Sequence, residues 1–285
     1  MSPLALSLVV AAACCHATWN FLVKRIAGGP ELVWLFSVIS VALYLPVVLV
    51  VIALERPAIG LQAAFFIAAS SALHMGYFLL LQQGYRKGDL SLVYPTARAT
   101  GPFLATLFAV IFLGEHVTLQ ILAGGVSVIV GVLFLTGGVS RRARHMSASL
   151  LFGLAAGGLI GSYTVWDAYV VTVLAVSPFI LDYASSLWRT VILFPYAIAR
   201  RGKIAGYWRD HRKAVIGIAV FNPLAYILVL IALTSTPVVY VAPARELSVL
   251  IAVLMGTALL GEGAFKQRMA WAALILAGMV LLATG

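Results

Sequence analysis

Two stretches of the chain, SLVYPTARATGPFLATLFAVIFLGE at Ser91–Glu115 and VVYVAPARELSVLIAVLMGTALLGE at Val238–Glu262, align without a gap at an offset of 147 residues. Ala97-Arg98 meets Ala244-Arg245, and Leu113-Gly114-Glu115 meets Leu260-Gly261-Glu262. Further along, Gly131 meets Gly278, and the same offset places Trp19-Asn20 on Trp166-Asp167. Between these blocks a shift of two residues places Pro46 on Pro195 and Tyr77 on Tyr226. One such coincidence is ordinary, but a series in order marks an internal repeat. The chain reads as two homologous units, residues 1–138 and 148–285.

Both units are built for lipid. Of the 285 residues 63% are hydrophobic and 10% charged, where an ordinary globular domain has about 45–50% and about 25%. Too few polar residues remain to cover a water-facing surface, so the chain is read as an all-α integral membrane protein. Apolar runs of spanning length occupy about 4–23, 31–54, 60–83, 91–113, 117–137, 148–170, 177–199, 214–234, 237–261 and 268–284. They far exceed the roughly 9–11 residues of a barrel strand and lack strict alternation, which selects helix. The connectors, the longest near 138–147 and 200–213, are too short to fold alone. The start, Met1-Ser2-Pro3, lacks a basic segment, so the first span is read as retained rather than cleaved. Cys14 and Cys15 are adjacent within an apolar run and carry no redox information.

The net charge of +10 would point to nucleic acid in a soluble protein; here it lies in the connectors. Lys24, Arg25, Arg86, Lys87, Arg141, Arg142, Arg144, Arg200, Arg201, Lys203, Arg209, Arg212, Lys213, Lys266 and Arg268 all follow odd-numbered spans, and Arg56 alone follows an even one. Short basic loops stay in the cytoplasm, which predicts both termini outside a plasma membrane, here a bacterial inner membrane. No nucleic-acid partner is expected. With five spans per unit the second enters the membrane from the opposite side, giving an inverted repeat, an architecture that places substrate near the midplane between the halves.

The same residues carry a family resemblance. His16-Ala17, Trp19-Asn20 and Lys24, the two Leu-Gly-Glu endings, Gly88-Asp89-Leu90-Ser91 before Tyr94-Pro95, and Ala242-Pro243-Ala244-Arg245-Glu246 together resemble an EamA-type member of the drug/metabolite transporter superfamily. The resemblance covers the whole chain and implies a ten-helix carrier of small metabolites, often an exporter. Many members have basic residues after even-numbered spans and their termini inside; this chain reverses that pattern.

Ionisable side chains at membrane depth cost roughly 2.5–3.5 kcal/mol each on insertion scales, so each needs a partner, water or a ligand. Arg98 and Arg245 lie at matched depths in spans four and nine, about 10 Å from the starts of those spans. Asn20 shares the level of Arg98, and Asp167 that of Arg245. Asp167 is therefore expected to neutralise Arg245, leaving Arg98 either to reach cytoplasmic headgroups or to bind an anionic solute. Asp182 and Arg189 share one face of span seven, and Glu246 is expected to meet Arg189. These groups read either as a structural ion network or, at Glu246 or Asp182, as a proton-carrying carboxylate.

His16 and His74 read as hydrogen-bonded histidines of the interior; with no further ligand cluster, neither metal nor cofactor is expected. Tyr77, Tyr94, Tyr163, Trp188 and Tyr226, with Asn222 and His16, are candidates to line a substrate cavity, alongside Trp19 and Trp166, for which interfacial anchoring is an equal reading. Pro95, Pro102, Pro223 and Pro243 interrupt backbone hydrogen bonding in their spans. Gly153, Gly157 and Gly161 form a small-residue stripe read as close helix packing; it does not by itself establish a homodimer.

No catalytic motif is present: the chain has no Gly-x-Ser-x-Gly, Walker A or His-Glu-x-x-His sequence. The expected function is a secondary transporter, an exporter by resemblance, of a small polar organic metabolite. An anionic or zwitterionic solute such as an amino acid, organic acid or phosphonate fits, moved by alternating access with proton or substrate antiport. The alternative is a flippase or exporter of amphipathic compounds or lipid-linked intermediates.

Overall fold

The computed structural model describes residues 1–26, 28–57, 59–87, 90–135, 146–251 and 265–285. Most of the 138–147 connector, Gly88-Asp89 and Leu260-Gly261-Glu262 lie outside the described residues. Ten helices are delimited: α1 (Pro3–Ile26), α2 (Pro30–Glu55), α3 (Leu61–Lys87), α4 (Leu90–Leu113), α5 (Leu119–Leu135), α6 (Met146–Thr172), α7 (Pro178–Ile198), α8 (Arg201–Leu233), α9 (Val238–Ala244) and α10 (Phe265–Thr284). Six of them (α1, α2, α3, α4, α6 and α8) are long and apolar enough to cross a membrane by themselves.

The chain marks several of its own boundaries. Pro30 and Pro178 occupy first-turn positions, where a missing N–H costs nothing. Gly114 ends α4 at φ +67°, a left-handed conformation that favours glycine. The next N–H, of Glu115, then returns to the carbonyl of Ala109. The first Leu-Gly-Glu motif is therefore a helix stop that turns Glu115 back toward the bundle.

Two spans depart from the sequence expectation. The 200–213 connector is helical, not a loop: α8 starts at Arg201 and runs through it, with a kink at His211 (φ −134°, ψ 20°). Conversely, the ninth span is not one helix. It stops at Ala244, turns through Arg245 and Glu246, and is helical again over 247–251. Pro243 supplies no N–H, and the chain passes it on tighter bonds, from Glu246 N–H to the Pro243 carbonyl and from Ser248 N–H to that of Arg245. By contrast, α4 runs unbroken through Pro95 and Pro102, and α8 through Pro223.

The main packing is between the repeats. α4 lies on α6, α1 on α8, α10 on α5, α3 on α6 and α2 on α7. Exchanging the halves maps α2–α7 and α5–α10 onto themselves and α3–α6 onto α8–α1, as a pseudo-two-fold axis requires. The glycine stripe makes the α4–α6 approach: a Cβ on Gly153, Gly157 or Gly161 would sit 2.7–2.8 Å from a Cβ of Thr96, Thr100 or Leu104. The stripe is thus used up within the chain. Outward faces carry exposed large apolar side chains such as Leu54, Phe112 and Ile192, as a lipid-facing surface must.

Candidate functional site

The polar residues inside the spans converge where α1, α3, α4, α6, α8 and the turn after α9 meet. Local spacing puts them there. His74 and Tyr77 stand one turn apart on α3, Tyr163 and Asp167 on α6, and Asn222 and Tyr226 on α8, so each pair shares a helix face.

The charges pair across the repeats. Arg98, 8% exposed, places Nη2 2.8 Å from Glu246 Oε2 and donates from the same nitrogen to Ser248 Oγ at 3.3 Å. Its Nε has no hydrogen-bond partner. The expectation of an unpaired Arg98 is corrected, and so is a Glu246–Arg189 contact. Arg189 donates instead to Ser186 Oγ at 3.2 Å, one turn back on its own helix.

Asp167 does not pair with Arg245. It is fully buried, with Oδ2 2.9 Å from His74 Nε2 and accepting a hydrogen bond from the Tyr226 hydroxyl at 2.5 Å. Arg245 is half-buried, donates to Thr164 Oγ1 at 3.3 Å and stands 5.8 Å from the Tyr226 ring centroid. Among the described residues no carboxylate lies within 4 Å of it. The asymmetry expected between the halves thus exists with its members exchanged. Matched depth along two helices says nothing of azimuth, and Tyr226 stands between Asp167 and Arg245.

Rings surround this centre. His74 stacks on Tyr163 with centroids 4.0 Å apart, and Tyr226 meets His74 edge-on at 5.1 Å. Tyr77 meets Tyr163 edge-on at 5.9 Å. Tyr94 lies in electrostatic range of Arg98 and Glu246, and His16 in range of both Arg98 and Arg245. The Asn20 amide donates to the His16 carbonyl at 2.7 Å, while His16 Nδ1 faces Trp19 Nε1 at 3.3 Å. Asn222 is half-buried one turn from Tyr226. Asp182, also buried, has no hydrogen-bond or ion-pair partner among the described residues and shares α7 with Arg189.

Trp188 does not belong to the site. It is 46% exposed beside Leu187, Val191 and Ile192 on the outer face of α7. Three participants went unassigned in the sequence: His74 as the partner of Asp167, Thr164 as that of Arg245 and Ser248 as that of Arg98. The one-turn spacing of His74 from Tyr77 was the available signal for the first.

The site is thus a largely buried polar centre enclosed by helices from both repeats beside a broken helix. The EamA-like transporter family model matches the chain twice, over residues 3–137 and 147–284. The chain belongs to that family and is a membrane transporter of small molecules. A solved crystal structure aligns with 98% of this chain and 96% of its own, with a TM-score of 0.77 at 14% sequence identity; at that identity it speaks to the fold alone. Comparison with curated protein sequences finds no match.

Proposed function

We propose that the protein is a secondary transporter of a small organic anion or zwitterion, an amino acid, organic acid or phosphonate, working as an exporter in a bacterial inner membrane. One observation carries this reading: Arg245 is a half-buried guanidinium at the interruption of the ninth span, held among the described residues by Thr164 and the face of Tyr226 and by no carboxylate. A planar guanidinium with free donors binds carboxylate or phosphonate in two-point fashion. Tyr226 and Tyr163 near it, with Tyr77 edge-on to Tyr163, offer ring surface to the rest of the solute. Arg98, already matched by Glu246, holds the two repeats together around the site. The pseudo-two-fold supports alternating access, because exchanging the roles of the halves gives a second conformation of similar energy.

The test is solute exchange by full-length protein in liposomes, using radiolabelled amino acids, aliphatic and aromatic carboxylates, and phosphonates. Wild-type protein is expected to exchange at least one of them. Arg245→Gln should weaken its apparent affinity roughly ten- to a hundredfold, the loss of a charge-assisted hydrogen bond of about 1.5–3 kcal/mol. Arg245→Lys should restore only part, lacking the planar fork. Exchange confined to neutral or cationic solutes, or unchanged affinity in Arg245→Gln, overturns the reading.

A further inference from the structure

Among the described residues Asp167 has no cation of fixed charge beside it. It is fully enclosed; Oδ1 has no hydrogen-bond partner, and among the described residues no arginine or lysine approaches within 4 Å. A bare carboxylate in so poor a solvent is unfavourable unless a proton neutralises it or its neighbour. The neighbour is His74, whose side chain is 25% exposed against 0% for Asp167. The imidazole is therefore the more accessible member of the pair. A histidine there is the one side chain whose ordinary protonation range lies near neutrality.

We infer that Asp167 and His74 together form the proton-binding site of this transporter, loaded and emptied through His74. In loading, water at the open side gives up one proton to the imidazole–carboxylate pair, whose charge goes from −1 to zero; in unloading the pair returns that proton to water on the other side. No other bond is made or broken. His74 belongs to the first repeat, whereas Asp167 and Tyr226 belong to the second. Moving α3 relative to α6 therefore alters the charge partner of Asp167, which links proton occupancy to conformation.

The groups facing the pair are few. On α6 itself Tyr163 stacks on His74. α3 adds Tyr77, α7 adds Asp182 within electrostatic range, and α8 adds the Tyr226 hydroxyl. The turn after α9 adds Arg245, on the far side of the Tyr226 ring. From α4, Arg98, held by Glu246, lies in electrostatic range of Tyr77 and Tyr163, while the α4 residues against the α6 glycines, Thr96, Thr100, Leu104 and Ala105, do not titrate. Glu246 is a poorer carrier, because Arg98 holds it as an ion pair in either state of the site.

The use made of the proton rests on the transporter reading; its binding does not, and can be measured without any solute. Infrared difference spectra of full-length protein, stepped from about pH 5 to about pH 9, cover the range in which perturbed carboxylates and histidines titrate. Wild-type protein is expected to show carboxyl and imidazole bands changing at one shared midpoint. In Asp167→Asn the carboxyl component should vanish and the imidazole midpoint should move, because the neighbouring anion is gone. His74→Gln should delete the imidazole component that shares the carboxyl midpoint. Tyr226→Phe, which keeps the ring and removes one donor to the carboxylate, should move the shared midpoint upward and supports the proposal even if Asp167→Asn does not fold. Flat spectra, an imidazole midpoint unmoved in Asp167→Asn or Tyr226→Phe, or a carboxyl band lost instead in Asp182→Asn, each overturns it. Solute exchange with flat spectra would sink the proton site alone; shared titration without exchange of any solute would sink the transport reading alone.

Discussion

Arg98 and Glu246 are the residues whose partnership most changes how this chain is understood. Each is nearly buried, and each would be left uncompensated by loss of the other. Removing one member of a buried pair costs about 3–5 kcal/mol, whereas replacing both can be close to neutral. Glu246→Gln should therefore lower the thermal stability of the purified protein sharply, and the double variant Arg98→Gln, Glu246→Gln should recover most of the loss. Additive losses would show that the two side chains do not act as a pair. The sequence disclosed that Arg98 and Arg245 lie inside the membrane at matched depths, because depth follows from position along a span. It did not disclose the partners, because direction around a helix depends on which neighbour packs there. Repeat symmetry suggested pairing within each half, yet the contacts run between halves.

Among the elements, the ending of α4 has a use beyond stopping a helix. Both Glu115 carboxylate oxygens accept backbone N–H groups at the start of α9, from Val238 at 2.7 Å and Val239 at 2.9 Å. The first repeat thus satisfies donors that the second leaves without intrahelical partners. A carboxylate at such a place contributes about 1 kcal/mol from capping and about as much again from the helix dipole when partly buried. Glu115→Gln should loosen this end of the α4–α9 contact. In protein lacking Cys14 and Cys15, a cysteine at Val239 should then react faster with a water-soluble maleimide than in the parent with Glu115 intact. An unchanged rate would mean that the cap does not hold this end closed. The spans themselves were legible because an apolar run of twenty residues has few other solutions. The break at Arg245 was legible only as a hint from Pro243. Pro95 and Pro102 carry the same hint in α4, which continues unbroken, so proline alone does not decide where a span opens.

For the whole molecule, the fifteen-to-one distribution of lysine and arginine predicts which way the bundle sits. A cysteine at Ser2 should be labelled from outside intact cells, and one at Gly202, at the start of the basic turns of α8, should not. The opposite result would invert the orientation while leaving every interatomic contact in place. The repeat was the strongest message in the sequence, since an odd number of spans per unit fixes the inverted relation without any knowledge of contacts. What it left unspoken was how thoroughly the halves interleave.

That interleaving sets a schedule for the ribosome. Arg98 is made 148 residues before Glu246 and 150 before Ser248, its other partner. At roughly 5–20 residues per second, a nascent chain holds this arginine without its carboxylate for roughly ten to thirty seconds. His74 waits for Asp167 across 93 residues, and α4 waits for the glycines of α6. The first five helices must therefore leave the translocon with an unmatched charge and an unfilled groove, sheltered by lipid headgroups, water or the insertion machinery until the later helices arrive. A gene cut at the connector between the repeats should yield an amino-terminal half that is degraded when made alone and persists when the other half is made beside it.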